Sequence, residues 1–267
     1  MRPLFLLALF TATSLAAQES TLFPRFSLTG ATSPSDFETN VRIDPDDAAG
    51  EGTLVSFEDD LGLEDSRTLQ RFGLQWRPFR RHELAATYFS APRSGAEQIN
   101  RNIVFRDETY PVNAFVTTQF DLRYASATYT YWARRSERDG FGISLGVAGL
   151  SLDASVSAEQ PGQTVTVTQT AETEVPVALA GVQGRVAFTR SLHGELNVAT
   201  LPRVTIGDYT GTALTGGARL EYRPLRWLGV GAAYNYFRLD VDVAAVDLGG
   251  SLDMTIRGPE AFLRLAF

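Results

Sequence analysis

The chain of 267 residues has two histidines, His82 and His193, and each stands in a tight arginine-rich segment, "RPFRRHE" (77–83) or "TRSLHG" (189–194). A nucleophile–histidine or aspartate–histidine pair needs its imidazole within hydrogen-bond reach of the group it activates. The acidic stretches 33–66, 93–113, 158–175 and 241–252 hold no histidine, so no such pair can form among them. His193 lies two residues from Glu195, on the same face of an extended chain, and is expected to form an inward hydrogen-bonded pair with it. The absence of cysteine removes thiol catalysis, disulfides and thiolate metal sites. No cofactor is implied.

The remaining candidates are charges. All 24 basic residues are arginine, each a permanently charged planar fork suited to bidentate pairing with carboxylates. A net charge of −7 speaks against a nucleic-acid partner. Residues 33–66 concentrate carboxylates, including Glu58, Asp59 and Asp60 in "FEDDLGL" (57–63), against one interspersed arginine, Arg42. Such density can attract divalent cations, although "DPDDAAGEG" (44–52) lacks the spacing of an EF-hand loop. The alternative is that "EDDLGL" folds inward and caps an interior with carboxylates facing Arg71 or Arg123.

These side chains acquire meaning from the elements that carry them. Alternating apolar and polar residues recur to the last position, as in "FGISLGV" (141–147). Ten strands are predicted, at roughly 23–32, 67–77, 82–92, 114–133, 141–155, 176–189, 192–206, 211–223, 227–240 and 253–267. Their connections alternate between tight arginine-rich turns and mostly long acidic loops. The fold class is therefore all-β, an antiparallel up-and-down meander. Its polar face, rich in Gly and Ser, suits a crowded interior. Placing that face inward gives a lumen lined by Arg71, Arg77, Glu83, Arg123, Arg185, His193, Glu195, Asn197, Arg219, Glu221 and Arg264. Pairing across tight hairpins sets Arg77 opposite Glu83, and Arg185 opposite Glu195. Trp76, Trp132, Phe141, Phe188, Trp227 and Phe267 all fall near the short turns, as an aromatic girdle at a membrane interface would. The alternation changes phase at Gly149–Leu150 and again in "FRLDVDV" (237–243). Both places are about one membrane span from the short turns, and bulges are expected there.

The chain resembles the bacterial outer-membrane β-barrel class. Phe267, Leu265 and Leu263, with Ala261 as a weaker match, are similar to the terminal strand that such proteins present to the barrel assembly machinery. "FEDDLGL" followed by "RFGLQWRPFRRHEL" (71–84) is similar to a group of proteobacterial outer-membrane proteins with no established activity. The resemblance implies a transmembrane barrel in contact with lipid and lipopolysaccharide, with both termini on the periplasmic side. "MRPLFLLALFTATSLAAQES" (1–20) fits this as a signal peptide over residues 1–17, leaving one domain over 18–267. Barrel enzymes of this class, the lipid A deacylases, palmitoyltransferases and omptin proteases, place catalytic groups including a histidine at the outer rim. Here both histidines sit at the other end, so the expected function is non-enzymatic: a narrow channel or a structural envelope protein. The alternatives are a lipid-modifying enzyme using Asp or Ser without His, and a ligand-binding or adhesive barrel working through 33–66 and 93–113.

Overall fold

The computed structural model describes residues 22–44, 53–100, 102–105, 108–110, 112–159, 166–245 and 248–267. The leader at 1–17 and the acidic residues Asp46, Asp47 and Glu51 lie outside them. Ten long strands form the wall: β1 (Phe26–Ile43), β3 (Ser66–Phe79), β4 (His82–Gln98), β7 (Phe115–Arg135), β8 (Asp139–Glu159), β9 (Thr166–Ala187), β10 (Leu192–Ile206), β11 (Tyr209–Leu225), β12 (Leu228–Ala245) and β13 (Leu248–Ala266). Each wall strand is antiparallel to its sequence neighbour, and β13 returns to pair with β1, so the sheet closes. Closure removes free edges, the condition for a sheet to cross a hydrocarbon layer. A two-residue strand, β2 (Val55–Ser56), adds to β1, and β5 (Ile103–Phe105) with β6 (Glu108–Tyr110) makes a separate hairpin.

Alternation decides which side chains meet lipid. Phe72, Leu74 and Trp76 on β3, Phe141, Ile143, Leu145 and Val147 on β8, and Leu263, Leu265 and Phe267 at the C-terminal end are all exposed on the outer face. Together they form an apolar band at the short-turn end. A tilted spanning strand needs about 9–11 residues, yet β7 and β8 have 21 each. The expected long loops are in large part strand. β8 runs to Glu159 and β9 starts at Thr166, while β12 and β13 pair as far as Ala245 and Leu248. The wall thus continues beyond the band by roughly 30 Å along the strands, at about 3.3 Å per residue.

The two phase changes are not bulges. β7–β8 pairing is unbroken from Phe115↔Glu159 to Trp132↔Gly142, and β12–β13 pairing is unbroken from Leu228↔Leu265 to Ala245↔Leu248. The strands keep their register, and the environment changes sides instead. Below the change the outside is apolar and the inside polar. Above it, Leu150, Leu152, Leu239, Met254 and Ile256 are buried in the interior, and the outer wall carries ion pairs. Those pairs are Arg123–Asp153, Arg203–Asp242 at 3.0 Å and Arg238–Asp253 at 2.6 Å. A wall that leaves the membrane meets water outside and must pack a water-excluding core within.

Bulges occur elsewhere, at Trp76/Phe79, Trp132/Arg134 and Tyr222/Leu225 beside short turns, and at Leu201/Val204, where Pro202 removes a ladder donor. Pro259 faces outward next to the β1–β13 seam. The ladder there skips from Thr32↔Ala261 to Asp36↔Arg257, and Ser33 Oγ donates to the Pro259 carbonyl at 2.8 Å instead.

Candidate functional site

The lumen is layered. At the short-turn end, Leu22 and Phe23 enter the barrel and are buried against Trp132, with the Phe23 and Trp132 rings edge-to-face at 4.9 Å. Trp132 is fully buried, so it does not belong to the lipid-facing girdle; Tyr129 and Tyr131, of opposite parity on β7, are exposed there. Trp76, Phe141, Phe188, Trp227 and Phe267 lie on the outer surface.

Above this plug sits an ionic layer. Arg71, Arg77, Arg185, Arg219, Arg223 and Arg264 point inward with Glu83, Glu195, Glu221 and Glu260. Arg185 donates to both oxygens of Glu83, at 2.9 and 2.8 Å, and stacks over the Trp132 ring at 4.5 Å. Glu83 also accepts from Gln75 Nε2 at 2.6 Å and Trp132 Nε1 at 3.3 Å. Glu221 accepts from Arg223 at 2.6 Å and Arg264 at 2.8 Å. The charged hydrogen bonds are short because both partners are ionised in a water-poor space.

The structure places Asn197 and His193 inside as well, but His193 is not bonded to Glu195. Among the described residues neither imidazole nitrogen has a hydrogen-bond partner, and Glu195 lies 3.5 Å from Arg185 and 3.7 Å from Arg264. Arg77 reaches the Phe23 and Pro24 carbonyls, at 2.7 and 3.3 Å, and so ties the N-terminal plug to the wall. The bulge at Trp76/Phe79 breaks the register that would set it opposite Glu83. Arg123 is a correction: it lies on the outer face paired with Asp153, because position 123 is beyond the level where the apolar side turns inward. Glu260, Arg223, Gln75 and Gln183 were outside the sequence-based set, although each shares the parity of a chosen neighbour.

The far end is closed by the segment carrying "FEDDLGL" (57–63). Phe57, Leu61 and Leu63 are buried in the upper core, each stabilised by about 1.5–3 kcal/mol on leaving water. Phe57 packs edge-to-face on Phe120 at 5.3 Å. Gly62 takes φ +65, which suits glycine, and a Cβ on Gly95 would come 2.2 Å from the Gly62 carbonyl oxygen. That bare surface lets Leu63 bridge to Gly95.

Glu58 faces neither Arg71 nor Arg123. Arg93 Nη1 donates to Glu58 Oε1 at 2.5 Å, Arg93 Nη2 to Thr39 Oγ1 at 2.9 Å, and the Thr39 amide to Glu58 Oε2 at 2.7 Å. Arg93 is held between the rings of Phe37 and Phe120, at 4.4 and 5.2 Å. Asp60 caps the Ser56 amide at 2.9 Å, while Asp59 is exposed. Among the described residues no group of three or more His, Asp and Glu is placed to hold a metal ion.

Between the ionic layer and the upper core is a chamber of about 240 Å³. Its lining includes Arg71, Arg219, Arg264, Glu195 and Glu260 toward the short-turn end, and Phe89, Tyr124 and Phe237 toward the other.

A closed antiparallel wall with an apolar outer band and a filled lumen defines a transmembrane β-barrel of the bacterial outer-membrane class. A solved structure of that class shares the fold. The outer-membrane protease OmpT of Escherichia coli is 8% identical, with a TM-score of 0.62 over 91% of this chain and 96% of that one. Neisserial surface protein A is 10% identical over 91% and 97% of the two chains, with a TM-score of 0.32. Ail of Yersinia pestis is 9% identical over 88% and 98%, with a TM-score of 0.33. No family model and no curated protein matches the sequence. At such identities the likeness to OmpT speaks for the fold alone.

Proposed function

We propose that this protein is a small non-enzymatic outer-membrane barrel, a narrow channel that rests closed. The observation that carries this reading is how the lumen is occluded. A purely structural barrel of this size can fill its interior with wall side chains. Here two separate chain segments close it, Leu22–Phe23 at one end and residues 57–63 at the other, with a polar chamber between them. Inserted segments can withdraw without unfolding the wall. The short turns and both termini face the periplasm in this reading, the ion-paired upper wall stands among lipopolysaccharide, and β13 is the strand offered to the assembly machinery. Both histidines lie at the short-turn end, which argues against histidine-dependent chemistry at the outer rim.

Arg93 is the latch of the outer plug, so its removal tests the reading. In planar bilayers the wild type is expected to stay closed with rare small steps, and Arg93→Ala to open far more often. Heat-modifiable gel mobility checks that the variant barrel is intact. Absence of steps in both proteins, and in a heat-modifiable variant lacking residues 54–64, would leave a structural barrel in place of a channel.

A further inference from the structure

We infer that the outer wall at the short-turn end carries a binding site for an anionic phospholipid, held by its phosphodiester group. The site lies where the β3–β4 and β7–β8 turns meet. Those turns adjoin because β4 pairs with β7, which sets His82 opposite Tyr131. Arg135 Nη1 donates to the Arg80 carbonyl at 2.8 Å, and the Trp132 amide donates to the Arg81 carbonyl at 2.8 Å. In the orientation proposed above the lipid belongs to the periplasmic leaflet; the site itself does not depend on that orientation.

Charge is concentrated there against the trend of the chain. The protein carries −7 overall, yet these two turns and their flanks bring Arg80, Arg81, Arg134, Arg135 and Arg138 together with only Glu137 and Asp139. The other two short turns hold one arginine each, Arg190 and Arg226. Asp139 is already paired with Arg134 at 2.9 Å. Among the described residues no ion pair joins Arg80, Arg81 or Arg138 to a carboxylate, and all three are exposed. Like charges crowded beside a low-dielectric slab repel one another, and an anion placed among them relieves the repulsion.

Position selects the kind of anion. Phe79, Tyr129, Tyr131 and Phe141 are exposed at this level, where aromatic rings mark a membrane interface. His82 is set among them, its ring 5.9 Å from Phe79 and 5.5 Å from Tyr131, and its Nδ1 is hydrogen-bonded to the Tyr129 hydroxyl at 2.6 Å. Arg81 Nη1 donates to the Tyr131 hydroxyl at 3.3 Å. That contact holds the guanidinium against the lipid-facing wall and uses one of its five N–H groups, which leaves the others for a phosphate gripped bidentately. Lipid phosphates lie just beyond the aromatic level, and the acyl chains of the same lipid run back over the exposed Trp76 and Leu84. A zwitterionic headgroup would bring an ammonium into the same crowd of guanidiniums, so a net-anionic lipid is favoured.

The test places the full mature chain in bilayers of phosphatidylcholine with phosphatidylglycerol as the probe lipid. It reads indole quenching when one lipid or the other is brominated. In Trp227→Phe the exposed indole is Trp76, three residues before Phe79 and, like it, on the outer wall; in Trp76→Phe it is Trp227, beside the single Arg226. A guanidinium at an anionic surface contributes about fivefold. Trp76 should therefore report a preference for phosphatidylglycerol of about tenfold or more, and Trp227 a much smaller one. Adding Arg81→Gln to Trp227→Phe should lower the Trp76 value about fivefold. Arg138→Gln repeats that measurement if Arg81→Gln loses heat-modifiable mobility. The inference is overturned if Trp76 shows no preference, if Trp227 shows the same preference as Trp76, or if the intact arginine variant leaves the preference unchanged. No preference at Trp76, together with Arg81-dependent sedimentation on isolated cell-wall sacculi, overturns it in favour of an anionic wall polymer. Conductance does not enter the readout, so the outcome is independent of the channel reading.

Discussion

Arg185 on β9 and Glu83 on β4 are 102 positions apart in sequence and meet through two hydrogen bonds across the base of the lumen. The pair is almost wholly buried, with side chains 3% and 1% exposed. Removing Glu83 leaves the buried Arg185 with only the looser contact to Glu195 at 3.5 Å. Glu83→Ala is expected to cost about 3–5 kcal/mol in urea unfolding from micelles. Glu83→Leu combined with Arg185→Met should recover most of that loss, since two packed apolar groups need no compensation. A single substitution without measurable cost would show that water solvates the base of the barrel.

The outer plug depends on a bare backbone at Gly95. A methyl group there would sit 2.2 Å from the Gly62 oxygen and 2.6 Å from the Leu63 nitrogen. Gly95→Ala should therefore displace the segment at a cost of about 1–3 kcal/mol while the wall survives. Chymotrypsin cleavage at Phe57, Leu61 or Leu63 is expected to rise roughly tenfold or more, with heat-modifiable mobility unchanged. Unchanged cleavage would mean the plug tolerates the methyl group by a small shift of β4.

The three tryptophans divide between two environments. Trp76 and Trp227 are half exposed on the outer face, at 46% and 50%, and Trp132 is fully buried inside. Brominated lipids quench indoles at the bilayer surface of the protein. A variant carrying only Trp132, made by Trp76→Phe and Trp227→Phe, should keep most of its fluorescence in such lipids. Strong quenching in that variant would return Trp132 to the girdle.

At the short-turn end, outside the apolar band, Arg134 donates to Asp139 at 3.1 and 2.9 Å and Ser136 donates to it at 2.7 Å. Arg134, with the Ser136 hydroxyl, holds the Asp139 carboxyl below its ordinary value. A depressed folded-state pKa adds stability that is present above the unfolded value of about 3.9 and lost as pH falls through the folded one. Following the Asp139 carboxyl by NMR, Arg134→Gln should bring its midpoint up toward 3.9. An unmoved midpoint would assign the effect to Ser136 alone. The pair is exposed, so little change in global stability is expected.

Much of this molecule was legible in the sequence. Period-two alternation marks ten strands, and strict alternation of turn types makes them a meander. The same parity puts Arg71, Glu83, Arg185, Glu195 and Arg264 on the inward face. Parity assigns a face, however, and not a partner. Arg185 has Glu195 opposite it in register at 3.5 Å, but its tight bonds go to Glu83 on a strand that is not its neighbour. Only closure of the sheet brings those two strands face to face.

The errors at Arg123 and Trp132 share one physical origin. Alternation separates two faces without saying which is wet, and in this barrel the answer reverses along the strand. Arg123 lies where the polar side points outward to water. Trp132 lies beside the short turn, where Tyr129 and Tyr131 fill the lipid-facing positions and the odd-one-out aromatic turns inward. By itself the sequence determined the strands, their order and their two faces, because those follow from local stereochemistry and from the length of chain between turns. The tertiary structure alone decided what fills the lumen: the Leu22–Phe23 plug, the Arg93–Glu58 latch and the chamber between them. Those contacts join segments far apart in the chain, and their energies exist only after the wall has closed and excluded water.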